Sequence, residues 1–259
     1  MTKYTRVWKQ LVENAFASTL SNRIDSASYF FGKIVRFVFF YTFISSLFSF
    51  IPNLAGYSKD QALLFFLTFN LIDVLAQVFF RGIYSFKNDI KRGNFDFTLI
   101  KPINSLFLTL TRQTDLLDIL FLVPIFVLLG QSIGRLSLSF LAVVSYTELI
   151  GVSFLFILGI HILSAAIAMI TVESENVIWI YREAMTVGRF PPEIFSGKIQ
   201  FIFTYLIPII VISGFPTKAL LGQLSFVQFI GALVSGAIFF IFSVIMWQTA
   251  IKKYSSASS

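Results

Sequence analysis

Six apolar stretches, at residues 30–51, 61–80, 104–129, 137–170, 200–213 and 226–249, constrain this chain more than any other feature. A helix needs about 20 apolar residues to cross a hydrocarbon core roughly 30 Å thick. Backbone groups find no water there, so each crossing must satisfy its own hydrogen bonds as a helix. Composition agrees: 56% of residues are apolar, 13% are charged and mean hydropathy is +0.82. Soluble domains have roughly 45–50% apolar and about 25% charged residues. The expectation is an all-α polytopic membrane protein with six transmembrane helices and a single membrane domain over residues 1–259.

The stretches are not equivalent. The first ends at Pro52-Asn53, and the third carries the polar run TRQTDLLD at residues 111–118 before turning apolar. As a single helix the fourth would be roughly 51 Å long, so it must tilt, protrude or break, with Gly159 and His161 as the expected place for a break. The fifth is short and carries Pro208. Gly214, Phe215 and Pro216 then begin a turn, and residues 217–224, which include Gly222, read as a short re-entrant segment. Ahead of the first stretch, Tyr4, Trp8, Leu11, Val12, Ala15, Phe16 and Leu20 recur at helical spacing. Residues 1–24 therefore read as an amphipathic interfacial helix rather than a signal peptide, lying on lipid headgroups, packed on the protein itself, or both. Residues 171–199 form a charged segment containing Trp179, Tyr181 and Pro191-Pro192.

Basic residues orient the layout. Of the 20 Lys and Arg residues, 17 fall in the N-terminal region, residues 81–112, residues 171–199 and the C-terminal tail. Only Lys59, Arg135 and Lys218 occupy the alternate turns. By the positive-inside rule both termini face the cytosol. The net charge of +7 then follows from topology and implies no nucleic-acid partner.

Several chemistries are missing. No G-x-x-x-x-G-K-[ST] run is present to cradle a nucleotide, and no G-x-S-x-G. With one histidine and no cysteine, a His/Cys metal cluster is not expected. Polar residues inside the apolar stretches remain. Asn70, Asp73, Gln77 and Arg81 share one helical face, which reads either as a translocation-pathway stripe or as a helix–helix seam with Asp73 paired to Arg36. Glu148 lies inside the fourth stretch and could serve as an ion site; His161 is off its face and reads as structural. Asp115 and Asp118 are expected to pair locally with Arg112. Gly231, Ala232, Ser235 and Gly236 permit close packing of the last helix.

Between the second and third stretches lies the basic, aromatic loop 81–103. Its segment Gly93-Asn94-Phe95-Asp96-Phe97-Thr98-Leu99-Ile100-Lys101-Pro102-Ile103 resembles the G-x-x-D-x-x-L-x-[RK]-P-[IL] pattern of ABC-2 type permeases, particularly the six-span, daunorubicin-exporter-like group. Ile207-Pro208, Gly214-Phe215-Pro216 and Leu220-Leu221-Gly222 are similar to that family's pattern at the end of span five. Phe190-Pro191-Pro192-Glu193-Ile194-Phe195 is similar to a third pattern, with Phe at both tyrosine positions.

The resemblance implies the permease half of an ATP-driven exporter in a bacterial inner membrane, built as a homodimer or heterodimer with a second permease. Separate P-loop ATPase subunits would bind ATP and Mg, and this chain would bind no cofactor. It implies a cytosolic coupling helix in loop 81–103. There Phe86, Ile90, Phe95 and Phe97 would seat in a cleft of the ATPase while Lys87, Lys91 and Arg92 meet its acidic rim, with Lys101 in the same coupling set. Gly93 belongs to the same coupling segment, Asp96 would supply a cap or hinge, and Pro102 would fix the entry into the third span. Modest polarity in the spans favours a hydrophobic or amphipathic cargo. The alternative is an ion-coupled secondary transporter that uses Asp73 or Glu148.

Overall fold

In the computed structural model, residues 2–136, 138–171 and 175–255 are described. Ser137, expected to open the fourth span, lies outside them, as do residues 172–174 of the charged segment and 256–259 of the serine-rich tail. The amphipathic pattern becomes α1 (Lys3–Ser21), capped by the Thr2 side chain. Its Trp8 stacks on Phe79 with centroids 6.2 Å apart, and Tyr4 meets Phe107 edge-on at 5.1 Å, so it packs on the protein. After Asn22 the chain enters α2 (Arg23–Leu47), which starts earlier than the apolar run suggests.

α3 (Lys59–Phe80) begins with a reciprocal capping box between Ser58 and Gln61, which satisfies two donors that the first helical turn leaves free. It is the axis of the molecule. Leu63, Leu64, Phe66 and Leu67 pack into one apolar cluster with α2 and α7, while Phe69, Ile72, Ala76 and Phe80 enter a second with α8 and the helices at the other end. Loop 81–103 folds as two short helices, α4 (Ile83–Lys91) and α5 (Asn94–Leu99). Gly93 joins them at φ 68°, a left-handed conformation that costs glycine little.

The third span differs from the expected continuous helix. α6 (Ser105–Thr111) stops, residues 112–115 are non-helical, and α7 (Leu116–Arg135) resumes. The break falls at the polar run, where the side chains are drawn into ion pairs. α8 (Phe140–Thr171) is unbroken, contrary to the expected break at Gly159 and His161. Gly159 is used for packing instead: a Cβ there would come within 2.8 Å of the Phe239 ring and 2.9 Å of Ser243 Oγ. At about 48 Å, α8 exceeds the hydrocarbon thickness; its last turns pack with α4 and with α9 (Glu175–Met185).

The fifth span is bent. α10 (Gly197–Phe201) runs into a π-helical turn at Ile202–Leu206, and a second turn of that kind, Ile210–Gly214, leads into α11 (Phe215–Leu220). The two arms meet at 89° across Ile207 and Pro208, where proline removes a helical donor. The bend thus lies at Pro208, not at Gly214 and Pro216. Those two residues continue the second arm, with Pro216 the second residue of α11, directly after the π-helical turn. Gly222, at φ 68°, does make the turn that follows.

α12 (Phe226–Lys253) starts with a capping box between Ser225 and Gln228. It packs closely on α8 through buried Ala232, Gly236 and Ser243, while Gly231 and Ser235 are exposed. In an apolar solvent small residues drive such packing by letting backbones approach. Among the described residues five helices are long and apolar enough to cross a membrane, and the bent pair makes a sixth. The chain is an all-α polytopic membrane protein.

Candidate functional site

α4 is amphipathic. Ile83, Phe86 and Ile90 follow i, i+3, i+7 spacing and are buried, as is Phe95 at the start of α5. Phe86 and Phe95 are 2% and 1% exposed, with ring centroids 5.0 Å apart. Phe95 also lies 6.1 Å from Trp247 and 5.2 Å from Tyr254, at the end of α12. These side chains therefore face the chain's own interior, which corrects the expectation that Phe86, Ile90 and Phe95 seat in a partner. Asp96 is the third residue of α5, and its Oδ1 accepts a hydrogen bond from Tyr254 OH at 3.0 Å. Burial and that carboxylate hold the Tyr254 phenol protonated, with its pKa pushed up to about 12.

The outward side of the same loop is different. Phe97 is 65% and Ile100 79% exposed, and Leu99 is exposed beside them. Lys91, Arg92, Lys101 and Pro102 are exposed too, and Lys87 is half-buried. The result is a small apolar patch rimmed by cations. Lys3 donates to Pro102 O, which ties α1 to the loop. Asn104 Oδ1 accepts from Phe107 N at 3.1 Å and caps α6.

The junction of α3 and α4 rests on Gly82, which sequence reasoning missed. Its N–H donates to Leu110 O at 3.1 Å. A Cβ at this position would lie 2.8 Å from Leu110 O and closer still to Thr109 O, so only glycine lets the two backbones meet.

Beside this junction sits a buried ionic cluster. Asp115 pairs with Arg81 and, at 3.4 Å, with Lys33; Asp118, fully buried, pairs with Lys33. Arg112, the expected local partner of both aspartates, pairs with Asp89 of α4 instead. Helix packing carries its side chain toward α4, while Arg81 and Lys33 reach the aspartates from α3 and α2.

The polar stripe on α3 divides. Asn70 bonds back to Phe66 O at 2.7 Å, and Gln77 donates to Tyr84 OH at 3.2 Å. Asp73 makes no ion pair with Arg36 among the described residues; the two line the same cavity of about 350 Å3, together with Lys33, Arg182 and Arg189. The cavity's cations were individually visible as charges in or beside apolar runs, but their convergence from three segments was not. Glu148 is exposed on α8. His161 is buried between Phe80 and Tyr181, with Nδ1 bonded to Ile157 O at 2.8 Å, in agreement with a structural role.

A larger cavity, about 920 Å3, lies between the bent span and α12, lined by Phe156, Phe201, Tyr205, Phe215, Ser235 and Phe239 among others. Among the described residues no cluster of three His, Cys, Asp or Glu side chains could hold a metal. Comparison with curated proteins and with solved structures gives no match. A family profile described as ABC-2 family transporter protein matches residues 30–258, every span included. With that match over most of its length, and with apolar helices in the expected order, the chain belongs to the ABC-2 family of transporter membrane proteins.

Proposed function

We propose that this chain is the permease subunit of an ATP-driven exporter, working with separate P-loop ATPase subunits and a second permease in a bacterial inner membrane. Loop 81–103, α1, α9 and both termini face the cytosol in this reading, as the distribution of basic residues favours. ATP and Mg are handled by the partner, because the chain carries no phosphate-cradling motif.

The observation that supports the reading best is the two-sided loop. Its inner face, Phe86, Ile90 and Phe95, anchors it to α12, while its outer face offers Phe97, Leu99 and Ile100 among Lys91, Arg92 and Lys101. Apolar side chains surrounded by charge suit a docking surface with a dry centre and a polar rim. ATPase closure would then displace the loop as a rigid body and move the spans with it. The aromatic lining of the larger cavity favours a hydrophobic or amphipathic cargo.

The test is co-purification and transport. Co-expressed with its P-loop ATPase, the wild-type chain recovers the ATPase and shows ATP-dependent efflux; the double reversal Lys91→Glu and Arg92→Glu lowers both at least tenfold. A stoichiometric complex with normal efflux after those reversals would overturn the docking assignment. Efflux driven by an ion gradient with no ATPase present would overturn the exporter class.

A further inference from the structure

The cavity beside Asp73 carries an inference that is independent of any ATPase. Lys33 and Arg36 of α2 reach it from one side, and Arg182 of α9 and Arg189 of the short 3-10 turn Thr186–Arg189 from the other. Its acids are Asp73 and Glu183. Lys33 is engaged by Asp118 and Asp115. Arg36, Arg182 and Arg189 make no ion pair with any carboxylate among the described residues, and neither do Asp73 and Glu183. Three guanidinium groups thus converge on a space they do not close with their own counter-ions.

Aromatic rings, not acids, position two of them. The Arg189 guanidinium lies 4.4 Å from the Phe40 ring centroid and 5.1 Å from that of Phe69. Arg182 lies 5.6 Å from the Tyr84 ring and 5.7 Å from that of Trp179, and donates to Tyr84 OH at 3.4 Å. A ring beneath a guanidinium holds its plane but leaves most of its in-plane N–H donors unspent, and those donors match the oxygens of a phosphate or carboxylate in pairs. Burial, and then the neighbouring Arg36, lower the Arg189 pKa against the opposing pull of Asp73 and Glu183.

Size and placement narrow the occupant. A volume of about 350 Å3 equals roughly twelve water molecules at about 30 Å3 each, enough for a hydrated phosphate group. Arg36 is exposed on an apolar helix, an arrangement that membrane proteins reserve for an aqueous cavity or a polar partner. Half-exposed Trp179 and exposed Tyr29 stand at the rim, residue types that favour headgroup depth.

We infer that the cavity formed by Arg36, Arg182 and Arg189 is a binding site for a phosphate-type oxyanion, carried by a membrane lipid headgroup or by a soluble anion. The planar fork of arginine sets the recognition, and Lys33 remains committed to the aspartates.

The experiment uses the full chain purified in neutral detergent, with three probes: dioleoyl phosphatidylglycerol, dioleoyl phosphatidylcholine and inorganic phosphate. Binding is read by native mass spectrometry for the lipids and by tryptophan fluorescence titration for phosphate. Saturable binding of phosphatidylglycerol or phosphate, weakened at least tenfold in both Arg36→Gln and Arg189→Gln, is the expected result. Lipid binding alone names a membrane source, and phosphate binding alone a soluble one. Phosphatidylcholine, with no net charge, binds at least tenfold more weakly than phosphatidylglycerol if the lipid is the source. Arg135→Gln, which removes one charge far from the cavity, leaves binding within twofold. Arg36 is exposed, so its substitution keeps the melting temperature and the test stands even if Arg189→Gln fails to fold. Absence of saturable binding by both phosphatidylglycerol and phosphate overturns the site. So does unchanged binding in Arg36→Gln, or an equal loss in Arg135→Gln.

Discussion

Arg81, at the end of α3, and Asp115, the residue before α7, form an ion pair that holds the loop junction against the break in the third span. Asp115 is buried and also faces Lys33, so its loss leaves two cations with one remaining carboxylate. Removing one member of a buried pair costs about 3 kcal/mol because the other is left uncompensated. Asp115→Asn is expected to lower the melting temperature of the purified protein by several degrees, and Arg81→Gln in the same chain to restore part of it. A neutral Asp115→Asn variant that melts like the wild type would show that the pair is not structural.

Gly82→Ala tests the contact between loop and α6. A methyl group there meets the Thr109 and Leu110 carbonyl oxygens, and overpacking of this kind costs about 1–3 kcal/mol. Gly134→Ala, at a helical position with nothing within 4 Å, is the control and should be neutral or slightly stabilising. Thermal unfolding of the two variants side by side checks the difference.

The two faces of the loop should separate by phenotype. Phe95→Ala opens a cavity among Phe86, Trp247 and Tyr254 and is expected to cost about 3–5 kcal/mol, read as a loss of yield and melting temperature. Phe97→Ser with Ile100→Ser changes exposed side chains, so folding stays intact while ATPase recovery falls at least tenfold.

Alkaline pH gives an independent handle on the loop anchor. Tyr254 donates to Asp96, and its folded pKa of about 12 stands above the ordinary 10.0. A raised pKa means that the folded state holds the proton more tightly, so this contribution to stability is complete below pH 10.0 and is lost as pH rises through about 12. Tyr254→Phe should abolish that alkaline component, measured as stability against pH with the phenolate absorbance followed in parallel.

Much of this fold is legible residue by residue. Apolar runs of bilayer length mark the spans, Ser58 and Ser225 open helices with Gln three positions on, and Gly93 and Gly222 sit where the chain needs positive φ. The i, i+3, i+7 spacing of Ile83, Phe86 and Ile90 already spelled an inward stripe, although the aromatic content of the loop reads at first as a docking face. What no local pattern reveals is which distant charge answers another. Lys33 and Asp118 lie 85 residues apart and meet only because α2 and α7 pack on the same side of α3. The Gly214 and Pro216 positions mislead for a related reason, since both residues are compatible with a turn and with a helix start, and the tertiary bend at Pro208 decides between them.

Phe95 wedged against Trp247 and Tyr254 makes the loop and the last helix one mechanical part. α12 is about 42 Å long, and its opposite half, at Gly231 and Ser235, walls the larger cavity. A displacement of the loop would therefore bear directly on the helix whose other half forms the cavity wall.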